Sequence, residues 1–232
     1  MEPRIAFFTF GRYQPPTLGH GIVFKEIASL ASKASGDAFV FVGSNMARAW
    51  NSEGKQENPL TVDEKLEIMQ DIDRKRLYGE NPITFVNTET CSPLKAEPTV
   101  CRTPFAIVEA LQSAGYTELR LYVGVDRVAR FTYMFSEKPA LPVTVFPIGV
   151  DRSTEEESSG ATLSHISGTK IRKAARDNKR ALFEGGTGLT GALADTYIDI
   201  IASRTAESKK KGGRRTSTRR RGRRLKRKSI RK

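Results

Sequence analysis

Two short stretches far apart in the chain carry the residue types that hold phosphate. The first is Gly11-Arg12-Tyr13-Gln14-Pro15-Pro16-Thr17-Leu18-Gly19-His20, the second Ile166-Ser167-Gly168-Thr169-Lys170-Ile171-Arg172. A hydroxyl, an imidazole and a guanidinium all donate to phosphate oxygens, and glycine lets backbone come close to a ligand. In the second stretch the Ser167 and Thr169 hydroxyls and the Lys170 and Arg172 charges can converge on one anion. If each stretch opens a helix, free N–H groups and the positive end of the helix dipole add to the anion site. The first stretch is neither a Walker loop ending in Gly-Lys-Ser/Thr nor a Gly-x-Gly-x-x-Gly fingerprint.

The elements that position these residues follow from hydrophobic spacing. Ile5-Ala6-Phe7-Phe8-Thr9-Phe10 is a short apolar run suited to a strand buried on both faces. Val23, Ile27, Leu30, Ala31 and Ala34 then recur at helical spacing, which predicts a helix starting near Gly19 with His20 facing the turn. Gly36-Asp37 leads into a second strand, Ala38 to Asn45, whose small polar end (Gly43-Ser44-Asn45) is expected to line a site. The polar segment from Met46 to Glu57 holds Trp50 beside Arg48, and Trp50 reads either as a loop anchor or as a stacking surface for a base or pyridine ring. Thr61-Val62-Asp63-Glu64 is a capping box opening a second helix with Leu66 and Met69 on its apolar face.

Ile83 to Val86 reads as a third strand, and Thr103-Pro104 opens a helix with Phe105, Val108 and Leu111 that Gly115 stops. Leu119 to Arg127 reads as a fourth strand, Val143 to Ile148 as a fifth, and Ala174, Ala175 and Ala181 as part of a helical stretch after Arg172. This alternation predicts an α/β fold: a Rossmann-like parallel sheet of about five strands, with right-handed crossovers and helices on both faces. Ligands bind such sheets beyond the carboxyl ends of the strands, where the strand order reverses. Gly11, Gly43-Ser44-Asn45 and Gly124-Val125-Asp126-Arg127 are expected to converge on that rim. Asp126 reads as an Asx turn or partner of Arg127, or as a hydrogen-bond acceptor for a ribose or base.

Charge divides the chain in two. The formal net charge is +13, but 203–232 holds 16 Lys/Arg and one acid, leaving 23 basic and 25 acidic residues in 1–202. The expected organisation is therefore one domain over 1–202 and a basic tail over 203–232, too polar to order itself. Its runs Lys209-Lys210-Lys211, Arg219-Arg220-Arg221 and Arg223-Arg224 suit nucleic acid, a nuclear address or an anionic surface. No stretch is long and apolar enough to span a membrane, and Met1-Glu2-Pro3-Arg4 running straight into the first strand reads as leaving no signal peptide. An intracellular protein is expected, cytoplasmic or nuclear if the tail is an address. Cys91 and Cys101, with no Cys/His cluster, are expected as free thiols.

Thr17-Leu18-Gly19-His20 resembles the Thr/His-x-Gly-His signature of the cytidylyltransferase-like nucleotidyltransferases, and Ile166 to Arg172 resembles that superfamily's second signature, Ile-Ser-Ser/Ala/Gly-Thr-x-Ile-Arg. The lead-in Gly11 to Pro15 and the segment Glu57-Asn58-Pro59-Leu60-Thr61, with Glu64-Lys65 and Met69, are similar to archaeal-type nicotinamide mononucleotide adenylyltransferases. That group has a shorter loop before this segment and an arginine where Lys65 stands. Asp126-Arg127 and the connection from Arg152 to Arg172 are similar to nucleotidyltransferases of phages and large viruses.

The resemblance implies transfer of a nucleoside monophosphate, AMP from ATP, to a phosphorylated small molecule such as nicotinamide mononucleotide, with release of pyrophosphate. Phospholipid headgroup or sugar phosphate cytidylyl transfer is the alternative, and a nucleotide-binding adaptor without turnover a further one. His20 and Thr17 would donate to phosphates around the reacting phosphorus, and Arg172, with Ser167, Thr169 and Lys170, would hold the departing pyrophosphate. Gly11, Gly19, Gly124 and Asp126 would contact the nucleotide, with Arg12 and Arg127 as further phosphate contacts. Mg²⁺ would enter with the triphosphate, so no dedicated protein ligands for a metal are expected.

Overall fold

The computed structural model describes residues 3–43, 58–94, 97, 99–138, 141, 143–148 and 166–206. Ser44 and Asn45, the 46–57 segment with Arg48 and Trp50, the connection from Arg152 to 165 and the basic runs after 206 lie outside the described residues.

Five parallel strands form one sheet: β1 (Ile5–Gly11), β2 (Asp37–Val42), β3 (Thr84–Asn87), β4 (Glu118–Val123) and β5 (Val143–Pro147), in the order β3-β2-β1-β4-β5. The chain crosses from one side of β1 to the other between β3 and β4, which makes the β1/β4 boundary the switch point of a Rossmann-like sheet. Among the described residues seven α-helices accompany it: α1 (Leu18–Lys33), α2 (Val62–Arg74), α3 (Pro104–Ser113), α4 (Val128–Ser136), α5 (Gly168–Arg176), α6 (Arg180–Thr187) and α7 (Gly191–Ala206).

The apolar run of β1 is consumed by both faces. Phe7 packs with Ile27, Ala28 and Ala31 of α1, whereas Ala6 and Phe8 pack with Ile107, Val108 and Leu111 of α3. Val40 and Val42 of β2 meet a further layer built from Phe24, from Ile68, Met69 and Ile72 of α2, and from Ile171, Phe183 and Ile201 of α5 to α7. The spacing within α1 marked Ile27 and Ala31 correctly, but the buried stripe also includes Phe24 and Gly21. No helix among the described residues is long and apolar enough to cross a membrane.

Three expectations are corrected. The fourth strand ends at Val123 instead of Arg127, because pairing with β5 ends at Pro147, and Val125–Arg127 coil into a short 3₁₀ turn that feeds α4. Ala181 lies on α6, since Asn178 adopts φ 51° and breaks the helix after Arg176. Cys91 and Cys101 are joined in a disulfide rather than free. The connection from Asn87 to Arg102 folds back on itself, with the Cys101 N–H donating to the Thr88 carbonyl (2.9 Å), and this brings the two Cα atoms within 5.6 Å.

α7 is clamped to α2. Arg204 donates to both Glu64 carboxylate oxygens (2.7 and 2.8 Å) and to the Pro59 carbonyl (2.7 Å), while the Tyr197 hydroxyl bonds Glu67 (2.6 Å). Thr205 is buried, so the packed body continues past residue 202 to the end of α7.

Candidate active site

Above the carboxyl ends of β1 and β4 lies a cleft of about 680 Å³. Its lining joins both phosphate stretches: Gly11, Arg12, Gly19 and His20 from the first, Ser167, Thr169 and Arg172 from the second, with Gly124, Asp126 and Arg127 from the end of β4. Of the twelve candidate residues, ten meet here. Lys170 sits exposed on the first turn of α5, outside the lining, and Thr17 is fully buried behind it.

Thr17 is the N-cap of α1. Its hydroxyl accepts from the His20 N–H (3.3 Å), and its own N–H donates to His20 Nδ1 (3.1 Å), which also lies 2.8 Å from the Thr17 hydroxyl. This is a capping box in which histidine takes the place of the usual glutamate. Because Nδ1 accepts from a backbone N–H, a neutral imidazole carries its proton on Nε2, the ring atom outside the cap. The Tyr13 ring meets the His20 ring edge-on at 5.1 Å and packs on Phe24. Tyr13 adopts φ 46°, a left-handed conformation that costs a tyrosine about 1–3 kcal/mol and persists where packing over-determines it. Gly11 makes room for that packing, since a Cβ there would sit 2.8 Å from the Tyr13 ring. Burial pushes the Tyr13 hydroxyl well above its ordinary pKa.

In the second stretch Ser167 caps α5, its hydroxyl accepting from the Lys170 N–H (3.3 Å). Arg172 donates to the Thr169 hydroxyl (3.2 Å) and to the Gln14 carbonyl, spanning 158 residues of sequence. The start of α5 therefore presents a guanidinium, two hydroxyls and a helix N-terminus to one region of the cleft. Asp126 and Arg127 lie 3.7 Å apart as an exposed ion pair.

Lys65 was legible only as a departure from a family pattern. It is fully buried on α2, and its ammonium donates to the carbonyls of Arg12 (3.0 Å) and Gly43, holding together the chain segments that leave β1 and β2. Burial lowers its pKa to about 8; the Glu89 charge pulls it up and Arg12 pushes it further down. A signal for this placement exists: Val62, Lys65, Met69 and Ile72 share the buried face of α2 at i, i+3, i+7, i+10. Asn58, from the segment that resembles the adenylyltransferases, also lines the cleft, as do Thr88 and Arg102, which no spacing pattern marks.

The sequence pattern of the cytidylyltransferase-like family matches residues 8–174, a span that contains both phosphate stretches and the whole sheet beyond the first three residues of β1. No curated protein sequence matches the chain significantly. Among solved structures, Plasmodium falciparum nicotinic acid mononucleotide adenylyltransferase complexed with NaAD is similar at 13% identity and a TM-score of 0.57, with 89% of this chain and 100% of that chain covered. The same enzyme complexed with APC gives 14% identity and a TM-score of 0.53 over the same shares. At such identities the likeness is one of fold. With the family pattern spanning most of the chain and its two phosphate motifs lining one cleft, the protein belongs to the cytidylyltransferase-like family of nucleotidyltransferases.

Proposed function

We propose that the cleft transfers AMP from ATP to a phosphorylated pyridine nucleotide precursor, nicotinamide mononucleotide or its nicotinate form, and releases pyrophosphate. The observation that carries this reading is the convergence of His20 and Arg172 on the lining of one cleft at the sheet's switch point. The Gly11 to Pro15 lead-in and the Asn58 to Thr61 segment favour the adenylyl over the cytidylyl branch. The similar Plasmodium falciparum structures, solved with NaAD and with APC, support the same choice of acceptor.

An oxygen of the acceptor's phosphate attacks the α-phosphorus. A new P–O bond forms, the α–β bridging bond breaks, and its electron pair leaves on pyrophosphate. The acceptor phosphate is already ionised, so no general base is needed, and positioning with charge stabilisation supplies the catalysis. The His20 Nε2 proton would donate to an oxygen of the reacting α-phosphate. Arg172, the Ser167 and Thr169 hydroxyls and the start of α5 would hold the β- and γ-phosphates, and Arg12 and Arg127 stand at the same cleft. Thr17 would act through His20.

The donor set of hydroxyls, amides and guanidinium groups, with one carboxylate (Asp126) engaged by Arg127, fits Mg²⁺ that arrives on the triphosphate. Among the described residues no group of three His, Cys, Asp or Glu could hold a metal. Bound there, Mg²⁺ would neutralise phosphate charge. The basic residues after 206 would supply a separate polyanion affinity.

A panel of ATP and CTP against nicotinamide mononucleotide, nicotinate mononucleotide, phosphocholine and a sugar phosphate, scored by pyrophosphate release, tests the reading. Release with ATP and a pyridine mononucleotide is expected. Release only with CTP and phosphocholine would move the protein to the cytidylyl branch, and nucleotide binding without release would make it an adaptor.

A further inference from the structure

One buried polar side chain at the cleft has no part in the chemistry above, and three segments meet on it. Gln14 is 5% exposed. Its carboxamide pairs with the backbone of Leu60 at two points: Oε1 accepts from the Leu60 N–H (3.0 Å) and Nε2 donates to the Leu60 carbonyl (2.6 Å). This copies the pairing a neighbouring strand would offer, and it joins the turn after β1 to the segment that opens α2. The Gln14 carbonyl in turn accepts from Arg172 Nη1 of α5. The first residue of α5, Gly168, lies against the same carbonyl, where a Cβ would come within 2.4 Å of the oxygen.

We infer that Gln14 is a positioning residue for nucleotidyl transfer, with its side chain locked on Leu60 so that its carbonyl fixes Arg172 and the start of α5 against the turn that carries His20. The inference rests on the reading of this cleft as a nucleotidyl-transfer site. The physical logic is rigidity. A carbonyl directs a guanidinium only if the carbonyl itself is held, and Gln14 is held by two hydrogen bonds to backbone that is itself anchored. Leu60 is fully buried, and the preceding Pro59 carbonyl is bonded by Arg204 of α7. A leucine in place of Gln14 fills similar space but leaves the Leu60 N–H and carbonyl without these partners, and it frees the turn to shift against α5. A displacement of about 1 Å at a reacting site costs on the order of 10²-fold in rate.

The test is a double-mutant cycle of Gln14→Leu and Arg172→Ala, with ATP affinity measured by calorimetry and kcat and KM by pyrophosphate release. Q14L is expected to weaken ATP binding and lower kcat/KM by roughly 10²-fold. Q14L/R172A is expected to be no worse than R172A alone, because both remove the same placed guanidinium. Wild-type kinetics in Q14L, or losses that add fully in the double variant, would overturn the inference.

Gln14→Glu gives a second arm. A protonated carboxyl reproduces the carboxamide's donor and acceptor, whereas a carboxylate would face the Leu60 carbonyl, so burial and that carbonyl raise the pKa of the new group. The cations on the neighbouring elements, Arg172 of α5 and Lys65 of α2, favour the carboxylate, and burial against the Leu60 carbonyl at this 5% exposed position is expected to outweigh them, His20 of α1 being common to both proteins. Activity of Q14E relative to wild type should therefore rise as pH falls from about 8 to about 6, and a flat ratio would count against the inference. If wild type binds ATP yet releases no pyrophosphate, the function is wrong and the binding cycle alone decides the role of Gln14. If wild type binds no ATP, both fall.

Discussion

Replacing Thr17 by valine separates two roles that its place in the motif leaves confounded. The Thr17 side chain is buried and spent on α1: it accepts the His20 N–H and contacts Nδ1 of the ring that it orients. Valine keeps the shape but removes the hydroxyl. Loss of an N-cap costs about 1 kcal/mol, and loss of one hydroxyl–imidazole bond about another 1 kcal/mol. T17V should therefore lose about 2 kcal/mol, which lowers Tm by roughly 4–8 °C for a chain of this size. The backbone bond from the Thr17 N–H to Nδ1 survives, so the histidine is loosened rather than lost. Turnover should fall about 10-fold to 10²-fold, less than the 10²–10³-fold expected when a charge-stabilising donor is removed outright.

The assays are thermal melting and pyrophosphate release for wild type, T17S, T17V, H20A and T17V/H20A. T17S should keep both properties, and T17V should add nothing to kcat in the H20A background, because its effect passes through that ring. A raised KM for ATP with kcat intact, or a kcat loss that adds in full to H20A, would mean that the Thr17 hydroxyl meets phosphate directly.

His20→Ala should lower kcat about 10²–10³-fold with little loss of ATP affinity, whereas Arg172→Ala should weaken ATP binding as well as turnover; calorimetry beside kinetics distinguishes them. Lys65 titrates near pH 8 in the fold, below the ordinary lysine value near 10.5. Both states are protonated below about pH 8, and between there and about 10.5 the unfolded chain binds a proton that the native state does not. Urea denaturation should therefore show wild type gaining stability over K65M as pH rises through that window and a flat difference below it. Arg204→Ala breaks a partly buried bidentate pair and should cost about 1–2 kcal/mol, between the exposed and buried limits. Burial alone would raise the Glu64 carboxyl, but Arg204 and Thr61 outweigh it and hold it low, so this contribution is complete above the ordinary carboxylate range. The deficit of R204A should shrink as pH falls through the lowered Glu64 value. A chain ended after Ala206 should keep full activity and lose salt-sensitive binding to DNA or RNA, whereas one ended after Ala202 should also lose the Arg204 clamp and melt earlier.

The central strands were readable because they are buried on both faces: β1 and β2 need unbroken apolar runs. Helix starts were readable where a cap and its partner lie within four residues, as at Thr61/Glu64 and Thr103/Pro104. The end of β4 was not, since Val125-Asp126-Arg127 carries the same residue types whether paired or coiled, and only the length of β5 decides. The disulfide was missed for a related reason: two cysteines ten apart do not show that the polar chain between them folds back.

The site divides along the same line. That His20 and Arg172 belong together could be read from two motifs, because each motif is local. Which motif residues face the cleft and which hold the ones that do could not be read, because that distinction is made by tertiary bonds. Thr17 looks like a phosphate ligand until its hydroxyl is found on His20, and Gln14 looks like spacer until its amide is found on Leu60, 46 residues away. Lys65 looks like a cation for solvent or ligand until its ammonium is found on the carbonyls of Arg12 and Gly43. A polar residue at such a site therefore has two ways to matter, and burial helps to separate them: the His20 and Arg172 side chains retain some exposure, while Thr17 and Lys65 have none and Gln14, though it borders the cleft, has almost none. It follows that substitutions at Thr17, Gln14 and Lys65 should disturb stability and kinetics together, whereas those at His20 and Arg172 can remove chemistry at a smaller cost to the fold, the loss of the bonds from the Thr17 N–H to His20 and from Arg172 to the Gln14 carbonyl.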